Sequence, residues 1–199
     1  MVYLNYTTAA LLIGSVLLMV ASALVLNAPT YVPIAKVDLS LVEASLGHAA
    51  LNALVAYVNG KASSLVEALS QNLNALDKRL VPWSSYVVLS YSPSTPSGYW
   101  SEASLSVKYT IDVGGRPVEC ACYVRLRASL VSTATDGMYY VVTAKLYDEN
   151  GPITNPNLFF NPKPVKAVVE DDAVKLYYLQ RPSAIEVIDE RGLKVYLTP

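Results

Sequence analysis

The spacing of apolar residues changes twice along this chain, dividing it into three stretches that predict different elements. From Met1 to Ala35 no side chain carries a charge, and Ala9 to Leu26 (AALLIGSVLLMVASALVL) is broken only by Gly14, Ser15 and Ser22. Eighteen helical residues reach about 27 Å, close to the ~30 Å hydrocarbon core of a bilayer. Tyr3, Tyr6 and Tyr31 flank the run, where amphipathic rings favour the membrane interface, and Pro29 and Pro33 stop the helix. Residues 1–35 are therefore expected to form a hydrophobic anchor helix with its flanks, in contact with membrane lipid. Leu12, Leu17, Leu18 and Leu24 supply apolar surface, and Ala10 and Gly14 form a small-xxx-small pair that lets a second helix approach closely. Cleavage near Ala21-Ser22-Ala23 is the competing reading; the length of the run and the missing basic residue before it favour retention.

In residues 36–82 the apolar positions recur at helical steps. Ser40-Leu41-Val42-Glu43 has the form of a capping box, followed by Leu39, Val42, Leu46, Ala50, Ala53, Leu54 and Tyr57 on one stripe and a stop at Asn59-Gly60. A second box, Ser64-Leu65-Val66-Glu67, opens a helix with Leu65, Leu69, Leu73, Leu76 and Leu80 aligned, ended by Pro82. Both helices carry SLVEA near the start and LNAL further on. The pair is expected to form a short helical stem.

From residue 83 to 199 the period falls to two. Tyr99, Ala103, Leu105, Val107, Tyr109, Ile111 and Val113 alternate with polar residues, Gly114-Gly115 supplies a two-residue turn, and Val118, Cys120, Cys122, Val124, Leu126, Ala128 and Leu130 alternate on the return. Pairing Val113 with Arg116 sets Ile111 against Val118, Tyr109 against Cys120, Val107 against Cys122 and Leu105 against Val124, with Glu102 meeting Arg127 on the other face. A slip of one residue would set apolar against polar throughout. Further strands are predicted at Tyr86–Tyr91, Met138–Leu146, Val165–Val169, Val174–Leu179, Ile185–Ile188 and Leu193–Leu197. The expected fold class is α+β: hydrophobic helix, helical stem, then an antiparallel β-sandwich of about eight strands.

Two stretches, 92–98 and 150–164, read as loops. The second places Leu158, Phe159 and Phe160 between prolines, either plugging the open end of the sandwich or offering a contact to a partner protein. The turns Asp148-Glu149-Asn150-Gly151 and Glu170-Asp171-Asp172 lack EF-hand spacing and read as solvated turns. Cys120 and Cys122 share the apolar face of one strand, which predicts buried free thiols rather than a disulfide or a metal site. His48 lies off the main stripe with no carboxylate or cysteine at helical spacing.

Composition narrows the function. A net charge of −1 leaves no basic field for nucleic acid, and one histidine with two cysteines leaves little to build a metal centre or a Ser-His-Asp triad. Hydrophobic residues make up 53% of the chain against 16% charged, which suits a membrane-anchored protein better than a soluble domain, where about 25% are charged. Fifteen tyrosines against two phenylalanines suit half-buried pleated surfaces. The reading is of a non-enzymatic protein, with neither cofactor nor small-molecule substrate.

An uncharged apolar N-terminus, a helical stem and a tyrosine-rich sandwich together resemble archaeal cell-surface proteins of the type IV pilin-like group. The Asp-Glu-Asn-Gly and Asp-Glu-Arg-Gly turns look like those of immunoglobulin-like domains of surface proteins. The first resemblance implies that the apolar helix anchors the subunit and packs in a filament core after assembly. The chain departs from that pattern in lacking a basic residue before the apolar run. A structural or adhesive surface protein, membrane-anchored with its sandwich outside the cell and self-associating, is the expected function. An accessory subunit docked on an envelope complex is the alternative.

Overall fold

The computed structural model describes residues 38–93, 96–97, 99–154 and 158–199. Val37–Pro199 form one compact unit and Met1–Lys36 a separate one. The expected anchor helix, with Ala10, Leu12, Gly14, Leu17, Leu18 and Leu24, lies outside the described residues. The expected boundary between stem and sheet falls inside the compact unit, because the helices bury their apolar sides on the sheet.

Helix α1 (Leu39–Val58) is capped by Asp38, whose carboxylate accepts from Ser40 N at 3.1 Å and from Ser40 Oγ at 2.6 Å. The expected Ser40–Glu43 box is thereby displaced: a carboxylate two residues upstream accepts from the helix start and engages the serine as well. Val42, Leu46, Ala49, Ala50, Ala53 and Leu54 form the buried side, while Leu39 lies exposed. Gly60, at φ 70°, turns the chain out of α1. Among the described residues α1 is the one helix long and apolar enough to cross a membrane, and here its apolar side packs on the sheet. Helix α2 (Leu65–Asn74) keeps its expected cap, Ser64 Oγ accepting from Glu67 N at 3.4 Å. It ends before the predicted stop at Pro82, so Leu80 is exposed rather than on the buried stripe. The Asp77 carboxylate accepts from Arg79 N in the turn that follows.

The main sheet has seven strands: β1 (Trp83–Ser92), β2 (Pro96–Ser97), β3 (Trp100–Val113), β4 (Arg116–Asp136), β5 (Tyr139–Asp148), β7 (Lys166–Glu170) and β8 (Ala173–Tyr178). Its order is β1-β3-β4-β5-β8-β7, with β2 beside β3, and every pairing is antiparallel. The β3–β4 register is the one the alternation predicts, from Val113 opposite Arg116 to Trp100 opposite Ser129. Gly114 and Gly115 have φ of 62° and 77°, as a primed two-residue turn demands, and Asp112 Oδ1 accepts from Gly115 N at 2.9 Å. β4 continues past Leu130 through a bulge at Val131, which lets it pair fully with β5. Met138, expected inside, is exposed in the β4–β5 turn.

A smaller sheet has the order β10-β9-β6, from β6 (Phe159–Asn161), β9 (Ile185–Ile188) and β10 (Lys194–Leu197). One face of the main sheet is therefore covered by two kinds of element. Near the β3–β4 turn lies α1, with Tyr109 Oη donating to Leu46 O at 3.3 Å. At the other end lies β10, with Tyr196 N donating to Ser101 Oγ at 3.2 Å. Asn59 joins the two coverings by donating from Nδ2 to Gly192 O at 3.2 Å. Ala103, Leu105, Val107, Tyr109, Leu126, Val142, Leu146, Leu176, Val187 and Val195 share the resulting core with the helices.

Candidate functional site

A sheet exposes unsatisfied backbone donors and acceptors only along its outermost strands, so the two ends of the main sheet are its natural contact sites. At one end β1, ten residues reading WSSYVVLSYS, pairs with β3 alone among the described residues and contains no charge and no proline. Tyr86, packed inward, shares a 2.6 Å hydroxyl–hydroxyl hydrogen bond with Ser70 of α2 and so fixes the strand's depth. Register shifts at Ser84 and Leu89 mark bulges, and Val87, Leu89 and Tyr91 are left exposed. Beside this strand runs a groove of about 680 Å³ whose lining includes Tyr57, Leu65, Val66, Val88, Leu89 and Tyr91. Tyr57 and Tyr91 meet edge to face there, with centroids 6.4 Å apart. Sequence reasoning saw β1 as a strand and missed it as an edge; the absence of charge over ten residues was the available signal.

At the opposite end β7 pairs, among the described residues, with β8 alone, and its neighbour across the mouth is β6, itself the last strand of the small sheet. The stretch expected as a plain loop over 150–164 thus contains a strand, hidden in the sequence by Pro156, Pro162 and Pro164 around it. Phe160 packs against the core, Leu158 is half-buried and Phe159 is 69% exposed. With Val165, Ala167 and Val169 they line a groove of about 450 Å³ between the two sheets. The three candidate contact residues are therefore together at one site: Phe160 closes the core and Phe159 faces out.

The remaining candidate chemistry resolves into structure. Cys120 and Cys122 are free and half-buried rather than fully buried, under the first half of α1. Burial pushes the Cys122 thiol up to about 11, and burial with the nearby Glu43 carboxylate raises Cys120. Neither thiol is set up as a thiolate nucleophile. His48 is exposed on α1. Among the described residues no group of three or more His, Cys, Asp or Glu side chains is placed to hold a metal ion.

Of the acidic turns, Glu170–Asp172 is solvated, and its end residues pair with Lys175 and Lys145. The turn at Asp148-Glu149-Asn150-Gly151 is only partly so. Asp148 Oδ1 accepts from Asn150 N at 2.7 Å and Gly151 N at 3.0 Å, while Glu149 pairs with Arg191 of the β9–β10 turn. Arg191 also donates from Nε to Asp189 Oδ2 at 2.8 Å and from Nη2 to Arg125 O at 2.9 Å. Asp189, 5% exposed, accepts in addition from Arg191 N and Leu193 N. One guanidinium thus ties the small sheet to β4 and to the turn after β5. Burial alone would raise the Glu149 carboxyl, but the Arg191 guanidinium and backbone N–H groups outweigh it and hold it below its ordinary value.

No family model, curated protein or solved structure matches the chain.

Proposed function

We propose that the chain is a non-enzymatic surface protein, held at the membrane by its N-terminal apolar run with Val37–Pro199 outside the cell, whose copies associate through the ends of the main sheet. The observation that carries this reading is β1: a ten-residue outer strand without one charged residue, beside an uncharged groove in which Leu65, Val66, Val88 and Leu89 alternate with Ser63, Ser64 and Ser90. Natural sheets protect such edges with lysine, proline or brevity, and β1 has only its bulges. The occupant is a second copy of this chain. β1 and β7 bound the same sheet at opposite ends, β7 next to an apolar groove and β1 next to one of mixed apolar and hydroxyl lining. An edge of one kind meeting an edge of the other is a head-to-tail contact, which need not close and so builds a filament.

This supports the self-associating version of the reading, and the two stacked antiparallel sheets support its sandwich, of the kind found in immunoglobulin-like surface domains. The test is to express the full chain in a membrane-bearing host, purify it in mild detergent, confirm its intact mass and image it as detergent is withdrawn. Ordered filaments or chains of subunits are expected. A species that stays monomeric at every detergent level would sink self-association and leave an accessory docking subunit.

A further inference from the structure

The face of the main sheet opposite α1 and the small sheet carries a second, independent feature. The registers of β3–β4 and β4–β5 set Trp100, Ser129 and Lys145 in one cross-strand row and Glu102, Arg127 and Tyr147 in the next. Ser129 is the short residue among long ones, and the side chains around it enclose a pit of about 380 Å³ lined by Arg125, Arg127, Ser129, Lys145 and Tyr147. Three of these five are cations, two are hydroxyls, and none is a carboxylate.

The donors are held in place and not exhausted. Arg125 is fixed by donating from Nε and Nη2 to Asp148 O, at 3.2 and 2.7 Å. Lys145 donates to Asp172 Oδ2 at 2.6 Å, and its ammonium has two further protons. Arg127 stacks on Trp100 at 5.0 Å from the ring centroid, and its buried Nε has no hydrogen-bond partner among the described residues. Glu102 stands opposite Arg127, as the alternation predicts, and among the described residues the two form no ion pair. A guanidinium placed over an indole, with a buried N–H unmet, is an arrangement completed by an oxyanion.

We infer that this pit binds the carboxylate or sulfate group of an acidic saccharide, with Arg127, Lys145 and Ser129 holding the anion and Tyr147 meeting the sugar. The pit is several times larger than a bare oxyanion, and its hydroxyl donors and aromatic rim suit a polyhydroxylated ring. An anionic bilayer is disfavoured: the Asp172 carboxylate lies against Lys145 at 2.6 Å, so a flat anionic surface meets a carboxylate there that a single anionic group avoids.

The test uses the full chain in mild detergent, labelled with ¹⁵N-arginine, and follows the Arg127 Nε–H resonance. Titration with D-glucuronate is expected to move it saturably in the millimolar range, with D-glucose leaving it in place. Arg127→Gln, read by ligand-observed NMR, and Lys145→Gln each weaken glucuronate binding by about tenfold or more, while Lys108→Gln, outside the pit, does not. An unchanged β-sheet circular dichroism spectrum shows that the variants fold. Equal affinity for inorganic sulfate would reduce the site to a bare-anion contact and overturn the saccharide. A shift with phosphatidylglycerol-doped micelles and none with glucuronate would overturn it in favour of a membrane surface. No saturable response to glucuronate would overturn the site altogether.

Discussion

Tyr109 and Leu46 stand 63 residues apart in sequence, and the phenol hydroxyl of one donates to the main-chain carbonyl of the other at 3.3 Å inside the core. The bond fastens the central hairpin to the middle of α1 with a polar contact in an otherwise apolar layer. Tyr178, also buried, has a hydroxyl with no hydrogen-bond partner among the described residues. The same substitution is therefore expected to act in opposite directions. Tyr109→Phe costs about 1 kcal/mol, and Tyr178→Phe is neutral or stabilising by up to about 1 kcal/mol, as read by urea unfolding.

These tyrosines also set an alkaline limit. Burial raises the Tyr109 hydroxyl well above its ordinary value of 10.0 and pushes Tyr178 up to about 12. A group whose folded value is raised stabilises the fold below its unfolded value and loses that contribution as pH rises beyond it. Unfolding free energy is thus expected to fall above about pH 10, and to fall less steeply in Tyr178→Phe, where one such group is gone. Equal slopes for the variant and the parent chain would contradict it.

Gly47 lies inside α1, and a Cβ there would meet Cys122 Sγ at 3.6 Å, ordinary van der Waals contact. No close approach demands a glycine, so its conformational entropy in a helix is an uncompensated cost. Gly47→Ala is expected to stabilise the protein by about 0.5–1 kcal/mol. The same substitution adds cover over a thiol already raised by burial, so alkylation of Cys122 by iodoacetamide at neutral pH should slow further relative to Cys120.

Arg191 ties three segments through one guanidinium, so removing it leaves Asp189 and Glu149 without their cation. Arg191→Gln is expected to cost about 2–4 kcal/mol, near the range for breaking a mostly buried pair. The depressed Glu149 carboxyl stabilises the fold above its ordinary value of 4.5, and that share fades as pH falls through the lower folded value. The gap in stability between Glu149→Gln and the parent chain should accordingly be full at pH 6 and close below about pH 4. A gap that persists undiminished at pH 3 would assign the loss to packing instead.

How far the chain could be read from sequence depended on whether the signal was local. The β3–β4 register was legible because alternation runs unbroken over both strands and Gly114-Gly115 fixes the turn. Ser64 was legible as a cap, but Ser40 was not, because Asp38 competes from outside the apparent motif. β6 was hidden because its pairing partner β9 lies far along the chain and prolines surround it. The pair of grooves at the sheet ends depends on strand order, and the pit at Ser129 on rows that cross three strands. Neither is a property of any one segment, which is why the Leu158-Phe159-Phe160 cluster could be singled out from sequence and the β1 edge and the Arg127 row could not.

The outer edge of β1 carries the proposed function. Leu89 sits at a β1 bulge, exposed beside the groove, and makes no buried contact whose loss would unfold the sheet. A lysine there places a charge on the outer strand, the device by which natural sheets discourage pairing with a neighbour. Leu89→Lys is expected to leave the unfolding free energy within about 0.5 kcal/mol of the parent chain. It should raise by about tenfold or more the protein concentration needed for association when detergent is withdrawn, read by sedimentation velocity. Phe159→Lys tests the opposite end in the same way. If association is head-to-tail, an equimolar mixture of the two variants still forms one productive contact, Phe159 of one copy against Leu89 of the other, and stops at dimers. If instead two β1 edges pair with each other, Phe159→Lys assembles like the parent chain and the mixture gains nothing over Phe159→Lys alone, which would refute the head-to-tail arrangement while keeping β1 as the contact.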